Sequence, residues 1–86
     1  MSYQVELDIR AQKDLKGLDP QIALRIVERC SILYQNPIQG PNISRLKLRP
    51  NLYRLRIGNY RIAYIVESNR VIIKHISHRK DIYRSL

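Results

Sequence analysis

The chain contains no Trp and no Phe, so six Tyr supply all of its aromatic surface. Its one Cys, Cys30, has no partner for an internal disulfide, which excludes the cross-linked scaffolds of small secreted proteins. Two His and one Cys at scattered positions give no metal-ligand spacing. There is no Gly-rich phosphate loop and no Ser-His-Asp pattern. No apolar run approaches the roughly 20 residues needed to cross a bilayer. The segment Met1–Glu6 lacks the basic stretch followed by an apolar one that marks a secretory signal. At 86 residues the chain is expected to be a single domain, 1–86, too small for a large cofactor enzyme. A composition of 44% hydrophobic and 27% charged residues is that of a folded protein rather than a disordered one. These exclusions leave a small cytoplasmic domain with no membrane association, no metal and no cofactor as the expectation.

Acidic residues are scarce in one half only. Residues 1–43 carry five basic and five acidic side chains, whereas residues 44–86 carry eleven basic ones against Glu67 and Asp81. The whole net charge of +9 therefore lies in the C-terminal half. Six basic residues and no acid fall between Ser44 and Tyr64. Eleven of the 16 basic residues are Arg, whose planar fork suits phosphate oxygens. A field this lopsided favours a polyanionic partner, because solubility alone does not require it.

The apolar pattern changes period along the chain. Tyr3 to Ile9 alternates and reads as a strand. Ala11, Leu15 and Leu18 recur at helical spacing up to Gly17 or thereabouts. Asp19-Pro20 opens a second helix, with Asp19 as N-cap and Pro20 at a position whose N–H would have no partner. Ile22, Ala23, Ile26, Val27, Cys30, Leu33 and Tyr34 form its apolar stripe, with Arg25, Glu28 and Arg29 off it. Asn36-Pro37 ends it. After the loop 36–43 the period becomes two. Leu46 and Leu48 predict one strand, Tyr53 to Ile57 a second and Tyr60 to Val66 a third. Val71 to His78 is the fourth, with Ile73 and His75 on one face and Ile72, Lys74 and Ile76 on the other. The order β-α-α-β-β-β-β predicts an α+β fold, with two N-terminal helices packed on one face of a mainly antiparallel sheet. The run Val71-Ile72-Ile73 suits an interior strand, with the N-terminal strand beside it.

Gly58-Asn59 is a two-residue hairpin signal. It pairs Ile57 with Tyr60, Arg56 with Arg61, Leu55 with Ile62, Arg54 with Ala63 and Tyr53 with Tyr64. Like charges directly opposite one another on a sheet are destabilising. A phosphate between Arg56 and Arg61 converts that repulsion into charge-assisted hydrogen bonds. In the tail, His78, Arg79 and Tyr83 can serve proton or phosphate chemistry. His75 falls on the face away from His78 and reads as structural. Cys30, on the apolar stripe, reads as a small core residue.

The segment from Lys47 to Tyr64, with its Tyr53-Arg54-Leu55-Arg56-Ile57-Gly58-Asn59-Tyr60-Arg61 core, and the ending His78-Arg79-Lys80-Asp81-Ile82-Tyr83-Arg84 resemble the RelE/ParE toxin superfamily. The likeness spans nearly the whole chain. It implies the toxin of a type II toxin–antitoxin pair, and the tail Tyr83 favours the RelE side, whose members cleave mRNA in the ribosomal A site. On that basis Arg54, Arg56, Arg61, His78, Arg79 and Tyr83 are the expected catalytic residues. Arg45, Lys47, Arg49, Lys74 and Lys80 are expected to bind RNA. Arg does not deprotonate in a protein, so none of the arginines can be the general base. The implied partners are mRNA, the ribosome and an acidic, RelB-like antitoxin, with operator DNA reached only through the antitoxin. The alternatives are a ParE-like inhibitor of DNA gyrase and a catalytically degenerate RNA-binding module.

Overall fold

A computed structural model describes residues 2–78. The elements are β1 (Gln4–Leu7), α1 (Ile9–Lys16), α2 (Pro20–Arg29), β2 (Ile43–Arg45), β3 (Leu52–Ile57), β4 (Tyr60–Glu67) and β5 (Arg70–His78), with a 3₁₀ turn at Cys30–Tyr34. The strands form one sheet in the order β1-β5-β4-β3-β2. β1 runs parallel to β5 (Gln4 opposite Arg70, Leu7 opposite Ile73), and every other pairing is antiparallel. The expected α+β order is therefore present, and β5 lies inside the sheet beside the N-terminal strand.

Each helix starts where its cap dictates. Asp8 accepts from the Ala11 N–H at 3.0 Å, and Asp19 accepts from the Gln21 N–H at 2.9 Å with Pro20 following it. The stripe of α2 buries Ile26 and, through the 3₁₀ turn, Cys30 and Leu33. Val27 and Tyr34, expected on that stripe, are exposed instead. Beyond Arg29 the helix tightens to 3₁₀ geometry, and this shifts Tyr34 out of phase with the stripe.

The core joins these residues to Leu55, Ile57, Ile62, Tyr64, Val71, Ile73 and Ile76 of the sheet. Tyr64 is fully buried at its centre. Its hydroxyl donates to the Pro37 carbonyl at 2.6 Å, and its ring stacks on Tyr53 at 5.8 Å. Burial pushes the Tyr64 hydroxyl well above the usual phenol range, and it lifts the Cys30 thiol to about 11.

Two expectations are corrected. The strand expected at Leu46 and Leu48 is absent: β2 covers only Ile43–Arg45, and Lys47 to Asn51 form turns. The Leu46 N–H donates to the Leu52 carbonyl at 2.8 Å, which closes the segment on itself, and Leu48 is left exposed. The alternation of Leu with basic residues therefore marks no strand. In β5, Ala63 lies opposite His75 but Tyr64 lies opposite Ile73, so Lys74 is an extra, unopposed residue. This bulge resets the alternation. Ile73 and Ile76 both reach the core, although their spacing assigns them to opposite faces.

Asp14 of α1 holds the bulge in place. Its Oδ2 accepts from the Ile76 N–H at 3.0 Å and contacts His75 Nδ1 at 2.7 Å. His75 Nε2 lies 3.3 Å from the Arg10 guanidinium. His75 is thus a structural residue, as the sequence indicates.

Candidate nucleic-acid interface

The β3–β4 hairpin has the register that Gly58-Asn59 implies. Ile57 pairs with Tyr60, Arg56 with Arg61, Leu55 with Ile62, Arg54 with Ala63 and Tyr53 with Tyr64. Gly58 takes φ 57°, a left-handed value that costs a residue with a Cβ, so the tight turn depends on this glycine. Leu55, Ile57, Ile62 and Tyr64 face the helices and are buried. Alternation sends Arg54, Arg56, Arg61 and Ala63 to the other face.

The register continues across β5 and β2. Arg61 lies opposite Ser77, and Ala63 opposite His75. Ser44 lies opposite Arg54. One row of the face thus runs Arg56-Arg61-Ser77, and the neighbouring row runs Ser44-Arg54-Ala63-His75. Among the described residues the salt bridges are Arg70–Glu6, Lys74–Asp8 at 3.2 Å and His75–Asp14. None involves Arg54 or Arg56. The Arg61 guanidinium donates to the carbonyls of Tyr60 at 3.2 Å and Gly58 at 3.4 Å. These carbonyls orient the Arg61 guanidinium.

Ser77 was not anticipated. Its Oγ is buried with no hydrogen-bond partner, directly across from Arg61. The hairpin register could have revealed it, once β5 was known to carry a bulge. His78, expected in the site, is half-buried opposite Tyr60, with the two rings edge to face at 5.3 Å. Arg54, Arg56 and Arg61 are therefore brought together on one face of the hairpin, whereas His78, in the row of Ile57 and Tyr60, alternates to the helix side of the sheet and is not brought to them. Arg79, Lys80 and Tyr83 lie outside the described residues.

The expected RNA-binding residues are scattered. Arg45 ends β2 opposite Tyr53, and with Lys47 and Arg49 it lines a cavity of about 450 Å³ beside Pro50. Lys74 sits at the bulge, paired with Asp8, and does not join the arginine rows. Its cation, the Ala11 N–H and the Arg10 N–H hold the Asp8 carboxyl below the usual carboxylate range; the Ala11 hydrogen bond is the largest cause and partial burial opposes it. Sequence reading also passed over Arg25 and Arg29 of α2. With Arg56 they line a cavity of about 570 Å³. The available signal was their one-turn spacing on the polar side of an amphipathic helix.

The surface so assembled can grip phosphate oxygens from two neighbouring strands. Comparison with known proteins gives a consistent picture. Residues 5–83 match the family described as ParE toxin of type II toxin–antitoxin system, parDE. RelE1 of Methanocaldococcus jannaschii is 37% identical, with the match covering 99% of each chain. Toxin RelG of Mycobacterium tuberculosis is 33% identical over 98% of this chain and 99% of its own. A chain of the archaeal RelE–RelB complex from Pyrococcus horikoshii superposes with a TM-score of 0.78 at 27% identity, covering 92% of this chain and 97% of that one.

Proposed function

We propose that this chain, which belongs to the RelE/ParE superfamily and is a toxin of a type II toxin–antitoxin system, is a metal-independent endoribonuclease that cleaves mRNA in the ribosomal A site. The observation that carries the reading is the Arg56–Arg61 pair facing across the hairpin, with Arg54 one step along the same face.

RNA supplies its own nucleophile. The ribose 2′-oxygen attacks the adjacent phosphorus in line with the departing 5′-oxygen. The P–O5′ bond breaks, one proton leaves the 2′-hydroxyl and another arrives at O5′. The protein must align these atoms, hold the charge that builds on the non-bridging oxygens and move the two protons. Arg56 and Arg61 hold those oxygens, and Arg54 positions the strand. The proton transfers are assigned to His78, a residue type suited to general acid–base work. Arg79 stabilises the leaving oxygen, and Tyr83 stacks on the base beside the cut. Translation stops because the message is cut, in the cytoplasm where ribosomes work. An acidic RelB-like antitoxin silences the toxin by covering the basic face, and operator DNA is contacted through the antitoxin. The RelE–RelB complex of Pyrococcus horikoshii supports this partnership.

Losing one charge-assisted contact of this kind costs about 2–4 kcal/mol, or roughly 30- to 1000-fold in rate. Arg61→Ala is therefore expected to abolish growth arrest and the mRNA cuts mapped by primer extension, while the protein stays folded and binds its antitoxin. Undiminished toxicity would place the site elsewhere. The match to the ParE family favours one second reading, a non-enzymatic gyrase inhibitor. Separate assays of translation and replication after induction distinguish them: arrested replication with intact mRNA selects gyrase.

A further inference from the structure

We infer that Arg25 and Arg29 of α2, together with Arg56 of β3, form a second phosphate-binding groove that takes the RNA strand as it leaves the hairpin face. The inference rests on the RNA reading above and extends it around the edge of the sheet.

Arg25 and Arg29 stand one helical turn apart, about 6 Å along the axis. With Arg56 they line a cavity of about 570 Å³ whose wall includes Ile32, Asn42 and Gly58. Among the described residues none of the three arginines has a carboxylate within ion-pair distance, and Glu28, between the two on α2, pairs with neither. Three arginines thus line one cavity with no ion pair among the described residues, and an anion held there makes charge-assisted hydrogen bonds with them.

The choice of anion follows from continuity. Arg56 belongs to both surfaces: it faces Arg61 in the sheet register and lines the groove beside α2. A strand held at Arg56 therefore reaches Arg25 and Arg29 by passing the hairpin end. Gly58 lies on that path, and the space where its side chain would stand is open. An adjoining cavity of about 240 Å³ shares Arg25 and Gly58, which lengthens the track toward Asn59. A continuous polyanion uses such a track. A compact anion would need only one end of it.

The test is a titration of the full chain with a fluorescent 15-nucleotide oligouridylate across a range of NaCl concentrations. For single strands each neutralised phosphate contributes a slope of about −0.7 in log K against log salt. The double variant Arg25→Gln/Arg29→Gln is expected to bind roughly tenfold more weakly, with a slope shallower by about 1.4, while its circular dichroism is unchanged. If the double variant binds like the parent while Arg61→Gln loses affinity, the groove is off the RNA path and the hairpin reading stands. If the parent does not bind the oligomer at all, the RNA reading fails and takes the groove with it. If polyglutamate binds the parent, and the double variant loses polyglutamate but keeps RNA, the groove serves an acidic protein partner and the inference is overturned.

Discussion

Tyr64 shows how one polar atom is accommodated in a core this small. Its ring is fully buried, and its hydroxyl ties β4 to the Pro37 carbonyl in the loop after the 3₁₀ turn. Tyr64→Phe removes the donor and leaves that carbonyl unpaired, so stability to urea should fall by about 1–3 kcal/mol. An unchanged unfolding midpoint would show that water replaces the bond at no cost. Cys30 gives a pH signature. Its thiol stays neutral in the fold up to about 11, whereas the unfolded chain ionises near 9. Between those values the unfolded state has fewer bound protons, so stability declines as pH rises through the window. Cys30→Ala should remove that part of the alkaline decline. Parallel curves for parent and variant from pH 8 to 11 would show that Cys30 does not titrate differently on unfolding.

The elements are set by caps, turns and one bulge. Asp8 caps α1 and pairs with Lys74 at the bulge, and its carboxyl is held below the usual range. Its ionised form therefore stabilises the fold above the carboxylate range, and that contribution fades as pH drops through the lowered value. Asp8→Ala is expected to cost about 1 kcal/mol at pH 7 and progressively less in acid. A penalty equal at pH 7 and pH 2 would contradict an electrostatic cap. The hairpin was legible because Gly58-Asn59 fixes a turn and alternating Leu, Ile and Arg fix the register. The segment 46–51 was misread because period two is necessary for a half-buried strand but does not supply a partner strand. The bulge was invisible because apolar residues at 71–73 and 76 satisfy either phase of the alternation. The arginine groove escaped because α2 and β3 meet only in the folded chain, far apart in sequence.

For the whole molecule, charge asymmetry dominates. The chain carries +9, all of it from the C-terminal half, and only a few described cations have carboxylate partners. Self-repulsion of this kind weakens a compact state, and salt relieves it with a Debye length near 10 Å at 0.1 M. The melting temperature of the isolated protein should therefore rise between about 0.01 and 0.3 M NaCl. A flat or falling profile would mean that the cations are already neutralised within the fold. The sheet order carries a consequence for synthesis. Gln4 must wait for Arg70, and Leu7 for Ile73, before the first strand has a neighbour. A nascent chain emerging N-terminus first cannot close its sheet until those late residues clear the exit tunnel, so its first strand is left without a neighbour for most of synthesis.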